Sequence, residues 1–302
     1  MQRICGALLT LVPGLVAAQQ SAGAELWRLA GTTLAIPPAL MTGGAAAFWN
    51  PAQLLGGGSE RASFALEAIE TAPAVGASGV LLAARARVKR VGQVGLVYGR
   101  MSIADLVPTS LSPDPDAGVI PYYTETIGAN WGTAVHATTV GVTLARRNTR
   151  LDAAQTGRWT LDAGARRSFG GSDAVHVAAA THFFSRLSLD DPAQEVYAGA
   201  DARLWRGPVW EGGSTGVIRA RYGIAFGHGF TADHQFGLGL ELDQSFGADV
   251  LVAREGSYGG GGWRPVAGIR VAIGRYHLSF ARDAAFNDVG AAYRVGFEGR
   301  VP

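Results

Sequence analysis

The chain has 302 residues, is 48% hydrophobic and 17% charged, contains 43 glycines and carries a formal net charge of +2. That balance excludes a disordered chain and departs from an ordinary soluble globule. The basic residues are scattered with no concentrated run, which argues against nucleic acid as a partner, and no stretch reaches the roughly 18 uninterrupted apolar residues of a membrane-spanning helix.

Taken in chain order, residues 1–18 read as an export signal. Arg3 is a short positive start, residues 4–17 form the apolar stretch, and Val16 and Ala18 stand where a signal peptidase reads its small residues, so cleavage falls before Gln19. Cys5 is the only cysteine, so the mature chain has no internal disulfide; a barrel held by its own backbone hydrogen bonds needs none. Residues 19–58 come next and contain Gly43-Gly44-Ala45-Ala46-Ala47-Phe48-Trp49-Asn50-Pro51-Ala52-Gln53-Leu54. The small-residue run permits close backbone packing and the Asn-Pro step breaks regular structure, which suits a segment folded against or into a barrel mouth.

From residue 59 onward the chain alternates apolar and polar residues with a period of two. Phe236, Leu238, Leu240 and Leu242 lie on one parity against Gln235, Gly237, Gly239, Glu241, Asp243 and Ser245 on the other. Tyr276, Leu278 and Phe280 alternate with Arg275, His277 and Ser279, and Tyr293, Val295 and Phe297 with Arg294, Gly296 and Glu298. A strand of this kind has one apolar and one wet face. With an export signal and no spanning helix, the pattern predicts an all-β fold: an antiparallel outer-membrane barrel, apolar outside and polar inside, because only closure satisfies every backbone group in lipid.

Strands are predicted over 61–70, 78–89, 91–103, 121–133, 137–147, 157–168, 173–186, 194–206, 215–227, 232–246, 249–255, 263–274, 275–282 and 288–299, about fourteen and an even number. Tight periplasmic turns are expected at 90, 169–172, 246–248 and 274–275. Longer external loops are expected at 71–77, 105–120, 148–156, 187–193, 256–262 and 283–287; the connections 207–214 and 227–231 fit this alternation less well. The prolines and aspartates of 106–120 read as solvated turn chemistry, and Tyr258 and Trp263, bracketing four glycines, as interfacial aromatics around a loop tip.

The inward parity carries Arg85, Arg87, Asp162, Arg166, His176, His182, Glu195, Asp201, Arg203, Arg219, Arg221, Glu241, Asp243, Arg270 and Arg294. This mixed-sign interior with a mild arginine excess either lines a water-filled channel or fills a narrow barrel with ion pairs. His176 and His182 are about 20 Å apart along one strand, six residues at roughly 3.3 Å each, too far to share a metal. No metal, cofactor, nucleotide-loop or thiol-nucleophile pattern is present.

The Gly-Gly-Ala run followed by Trp49-Asn50-Pro51-Ala52 and Leu54 resembles the N-terminal signature of the FadL-like outer-membrane transporters and their PorV-like relatives. The resemblance implies a fourteen-stranded barrel in which residues 19–58 form a hatch or plug before the barrel of 59–302, with Asn50, Pro51 and Ala52 in the hatch. Gln53 stands where the family often has glycine, and the chain is shorter than typical members. The final strand, Val289 to Phe297, resembles the C-terminal signal read by the barrel-assembly machinery, although Glu298–Pro302 extends past the aromatic residue.

Two functions follow from the resemblance. One is passage of hydrophobic or small solutes through a plugged barrel in the outer membrane; the other is a PorV-like barrel that binds or shuttles secreted proteins. A structural barrel without transport is the third reading. Catalysis is not expected: His277-Leu278-Ser279 has the His-x-Ser spacing of outer-membrane lipases, but the apolar neighbours Tyr276, Leu278 and Phe280 claim the lipid face.

Overall fold

The computed structural model describes residues 24–55, 60–71, 75–104, 106, 118–170, 174–184, 194–209, 213–227, 231–254, 256, 262–284 and 290–302. The export-signal stretch and most of 106–120, 187–193 and 256–262 lie outside the described residues. Fourteen strands follow one another: β1 (Ala62–Glu70), β2 (Ala77–Val88), β3 (Gly92–Ile103), β4 (Tyr122–Val135), β5 (Thr138–Leu151), β6 (Ala154–Phe169) and β7 (Val175–His182). Then come β8 (Glu195–Pro208), β9 (Thr215–Gly227), β10 (Asp233–Leu242), β11 (Phe246–Arg254), β12 (Trp263–Ile273), β13 (Tyr276–Asp283) and β14 (Ala292–Val301). Each pairs antiparallel with its neighbour in sequence, and β1 closes on β14 in a register that runs from Ala62 opposite Val301 to Glu70 opposite Tyr293. The expected closed, antiparallel, fourteen-stranded barrel is therefore the observed fold.

Period-two alternation places large apolar side chains outward. Leu96, Leu144, Leu161, Leu238, Val250, Leu278 and Val295 are all exposed, on an exterior too apolar and too continuous for water to solvate. Inward positions are mostly small or polar, with Thr126, Asn130, Thr143, Thr160, Asp162, Asp249 and Arg294 buried, and a few are apolar, such as Leu81, Val97 and Met101.

The connections 89–91, 136–137, 170–174, 209–214, 243–245 and 274–275, none longer than six residues, lie at one rim, the short-turn rim. Left-handed backbone makes several of these tight, with φ of 68° at Arg90, 57° at His136 and 61° at Gly274. The expectations need correction at three places. Strand β10 ends at Leu242, and the turn is 243–245, with φ of 46° at Asp243 and 58° at Gln244, whereas 246–248 begin β11. The loop expected at 148–156 is two residues, Asp152 and Ala153, because pairing continues through Leu151 opposite Ala154 and Asp152 adopts φ 54°. The last strand continues to Val301, since Glu298, Gly299 and Arg300 pair with Ala65, Phe64 and Ser63 across the closure.

Residues 24–55 run through the interior. They comprise helix α1 (Ala24–Thr32), a 3-10 turn over Pro38–Leu40, the one-turn helix α2 (Ala46–Trp49) and a 3-10 helix over Pro51–Leu55. Leu26, Trp27, Ala30, Phe48 and Trp49 are buried in one cluster with Leu81, Val97, Met101, Phe183 and Tyr197, and Leu54 is buried over Gly95 and Gly132. Fourteen strands spaced about 4.8 Å apart and tilted about 40° enclose a cylinder roughly 28 Å across at the backbone, wider than wall side chains alone can fill. The segment supplies what the wall lacks.

Candidate functional site

The segment is seated on glycine. Gly132, Gly141 and Gly164 face inward and stand opposite one another across β4, β5 and β6, and Gly95 adds a fourth position on β3. The 3-10 helix of 51–55 lies directly over them: a Cβ at Gly141 would fall 2.3 Å from the Pro51 carbonyl oxygen, and one at Gly164 would fall 2.0 Å from Asn50 Oδ1. Any side chain there would occupy the space the segment fills. Elsewhere along the segment, Gly99 leaves room for Trp27, Gly199 for Leu40 and Gly223 for Pro37.

Asn50 fixes the turn at this seat. Its Oδ1 accepts from the Ala52 amide at 3.0 Å, and its Nδ2 donates to the Ala39 carbonyl at 2.7 Å, joining the 3-10 helix to the earlier turn. Gln53 donates to the same carbonyl at 3.0 Å and accepts from Arg166 at 3.1 Å. Pro51, lacking an N–H, fixes φ at the start of the 3-10 helix without leaving a donor unpaired.

Wall arginines hold the rest. Arg85 donates to the Leu54 carbonyl at 2.8 Å. Arg294 donates to Thr33 Oγ1 at 2.9 Å and to the Ala30 carbonyl at 2.6 Å, and Arg264 donates to the Thr32 carbonyl at 2.7 Å. The last two place cations at the C-terminal end of α1, where the unpaired carbonyls and the negative end of the helix dipole favour them. Arg28 on α1 pairs with Glu195, which also accepts from Tyr197.

A second buried group lies beside α2. Arg147 donates to Asp162 at 2.7 Å, to Thr160 at 2.9 Å and to Thr126 at 3.1 Å. His182 Nδ1 lies 3.3 Å from Asp162 Oδ2, with its ring 3.8 Å from Phe183, 5.1 Å from Phe48 and 5.6 Å from Trp49. Arg147 sits over Phe183 at 4.1 Å. The aromatic side chains of the segment therefore dock against a fully buried ion pair, which is affordable only because Arg147 is satisfied on each of its nitrogens.

The opposite half of the wall carries alternating charge. Asp201 accepts from Arg219 and, at 3.0 Å, from Arg221; Arg221 also pairs with Asp249, which accepts from Arg270 Nε at 3.1 Å; Arg270 Nη2 lies 3.5 Å from Glu241. Glycine again makes the space, since a Cβ at Gly239 would fall 2.5 Å from Arg221 Nη1. This ladder crosses β8 to β12. Between it and the segment lie two cavities. One, of about 350 Å³, is bounded by residues 42–45, Glu67, Glu241, Arg270, His277, Ser279, Glu298 and Arg300 and lies toward the short-turn rim. The other, of about 200 Å³, is bounded by Gln53, Arg166, His176, Asp201, Arg219, Arg221 and Glu241. They share Thr42 and Glu241.

Of the inward residues named from sequence, Arg85, Arg166, Glu195 and Arg294 meet the segment or its contacts, Asp162 and His182 form the buried ion-pair group, and Asp201, Arg219, Arg221, Glu241 and Arg270 form the ladder. His176 shares a hydrogen bond of 2.9 Å with Ser168. Arg87 lies exposed at the rim end of β2, and Arg203 is half-buried where a bulge between Arg203 and Trp205 shifts the register. Asp243 is not in a strand; it lies exposed in the 243–245 turn and accepts from the Thr215 amide at 2.6 Å. Asn50, Pro51 and Ala52 are buried at the glycine seat. Reading the sequence missed that seat, the helix α1, and the partners Arg147, Asp249 and Arg264. The seat left a signal: glycines at inward parity on four successive strands.

No protein-family model matches the sequence, and no curated protein matches it. Solved structures do match. One structure of the toluene transporter TodX from Pseudomonas putida superposes with a TM-score of 0.53 at 9% identity, over 93% of this chain and 97% of TodX. A second structure of P. putida TodX gives 0.51 at 9% identity, over 85% and 94%. The toluene transporter TbuX from Ralstonia pickettii gives 0.49 at 12% identity, over 86% and 94%. The two TodX superpositions show a shared barrel fold and nothing finer.

Proposed function

We propose that this protein is an outer-membrane transport barrel in which residues 24–55 are a plug, and that small solutes cross its lumen when the plug shifts. The observation that carries the proposal is the glycine seat: a wall built without side chains where Asn50, Pro51 and Ala52 lie, with hydrogen bonds to the segment made from the wall rather than covalently. A contact of that kind is tight yet reversible, as a gate requires. The apolar exterior supports a lipid setting, and the short-turn rim then faces the periplasm. The barrel fold shared with the toluene transporter TodX supports the class of activity, and the Trp49-Asn50-Pro51-Ala52 resemblance supports the role of the segment.

The proposal is tested by exchanging Asn50 and Pro51 for alanine and measuring solute-driven swelling of liposomes that contain the protein. Removing two Asn50 hydrogen bonds of roughly 1 kcal/mol each loosens the seat, and faster swelling is expected. Swelling at the wild-type rate would remove the plug role.

A further inference from the structure

The larger cavity has a chemistry that an apolar solute does not fit. Its wall presents Glu67, Glu241 and Glu298 on one hand and Arg270 and Arg300 on the other, with the polar side chains of His277 and Ser279 also lining it; Glu67 is paired with Arg294. The side chains of Arg270 and Glu241 remain about one-third exposed, at 34% and 36%, although they are only 3.5 Å apart. Arg270 Nη2 is buried between Asp249 at 3.1 Å and Glu241 at 3.5 Å, so it is the partly exposed remainder of the guanidinium side chain that a solute meets. Arg300 pairs with Glu298 at 3.1 Å and with Glu60 at 3.3 Å and is likewise partly exposed. An anion entering this space meets the glutamates, a cation meets the arginines, and an apolar molecule desolvates both sets without replacing a hydrogen bond. A molecule carrying both charges satisfies both sets. The volume, about 350 Å³, lies near the lower end of the roughly 300–1,000 Å³ typical of ligand pockets.

We propose that this cavity is a binding site for small zwitterions of amino-acid to dipeptide size, with the carboxylate at Arg270 and Arg300 and the ammonium at Glu241 and Glu298. The inference rests on the transport reading and gives it a solute class. Glu241, shared with the inner cavity, is the specificity-determining residue, because it stands where a solute passes from one space to the other.

The test is equilibrium binding to the full-length protein purified in mild detergent, with glycylglycine compared against N-acetylglycine, glycinamide and toluene. Glycylglycine is expected to bind at least tenfold more tightly than either singly charged analogue. Glu241→Gln should weaken it about tenfold and bring it level with N-acetylglycine, and Arg270→Gln should bring it level with glycinamide. The characteristic gel shift on heating verifies that each variant is a folded barrel, and if one fails the other carries the comparison. Equal binding of the three polar probes, or binding of toluene alone, overturns the assignment. Uptake of glycylglycine into proteoliposomes separates the two readings: binding without uptake overturns transport and leaves the site, whereas uptake without measurable binding and indifferent to Glu241→Gln overturns the site and leaves transport.

Discussion

Adding one methyl group at Gly141 isolates the seat from everything else in the barrel. The new Cβ would lie 2.3 Å from the Pro51 oxygen, 2.4 Å from the Pro51 carbonyl carbon and 2.8 Å from the Ala52 nitrogen, all backbone atoms that cannot rotate away. Reaching an ordinary contact of 3.4 Å from 2.3 Å requires a displacement of about 1.1 Å. A movement of that size breaks the bonds that fix residues 50–54: Asn50 to Ala39 at 2.7 Å, Gln53 to Ala39 at 3.0 Å, Arg166 to Gln53 at 3.1 Å and Arg85 to the Leu54 carbonyl at 2.8 Å. At about 1 kcal/mol net for each, losing between two and four costs roughly 2–4 kcal/mol, which is about 30- to 700-fold in the ratio of seated to unseated segment. The wall itself is little affected, because strand β5 keeps its pairings. Gly141→Ala should therefore swell liposomes faster than the parent while showing the same barrel gel shift. Gly237→Ala, where the new Cβ would come no nearer than 3.3 Å to any atom, is the matched control and should behave as the parent. Gly141→Ala with parental flux would refute the idea that the glycines exist to hold the segment.

Removal of residues 24–55 should leave a barrel that assembles, since every strand finds its partners within the wall, and that conducts ions steadily in a planar bilayer; a deletion that folds but stays closed would show that the wall fills its own lumen. Leu238→Arg puts a charge on the outward face midway along β10 and should cost about 2–4 kcal/mol in denaturant unfolding from lipid vesicles; a change near zero would mean that this face does not meet lipid. Asp162→Asn leaves Arg147 and His182 without their carboxylate and should destabilise the barrel by roughly 3–5 kcal/mol in the same assay. Loss of less than 1 kcal/mol would show that Arg147 is satisfied by Thr126 and Thr160 alone.

The wall and the charges on its inner face were legible in the sequence and the contacts between wall and segment were not, and the difference has a physical origin. Each strand is fixed by a local rule, the alternation that puts Phe236 and Leu238 outside and Gly237 and Gly239 inside, and strand order follows from the antiparallel succession. The errors fell where the alternation continues past the end of pairing. Asp243 and Ser245 keep the polar parity of β10, but left-handed backbone at Asp243 and Gln244 turns the chain. At 148–156 the reverse happened: polar residues that look like a loop are paired, because inward positions of a barrel are themselves polar, and a strand and a solvated loop then share a composition. The interior obeys no such local rule. Arg294 reaches Ala30 and Thr33 across more than 260 positions of sequence, and nothing near Arg294 announces the contact.

The two halves of the interior are built by opposite devices, and this division links the fold to the proposed gate. From β3 to β6 the wall gives up side chains so that backbone can lie on backbone, and the contact is short-ranged: it depends on shape and on hydrogen bonds that vanish within an ångström or two. From β8 to β12 the wall places charges in a chain in which both aspartates serve two guanidinium groups, Asp201 those of Arg219 and Arg221 and Asp249 those of Arg221 and Arg270. Such a chain does not release one member cheaply, because each buried charge left unpaired bears its full desolvation cost. The ladder is therefore the fixed side of the lumen and the glycine seat the side that can let go. If the segment moves, it moves away from the glycines first, and the space that opens adjoins Gln53 and Arg166, the border of the cavity that Glu241 connects to the mouth at the short-turn rim. An opening that began instead at the ladder would have to separate Arg221 from two aspartates at once, so the order of events follows from which contacts are backbone on glycine and which are charge on charge.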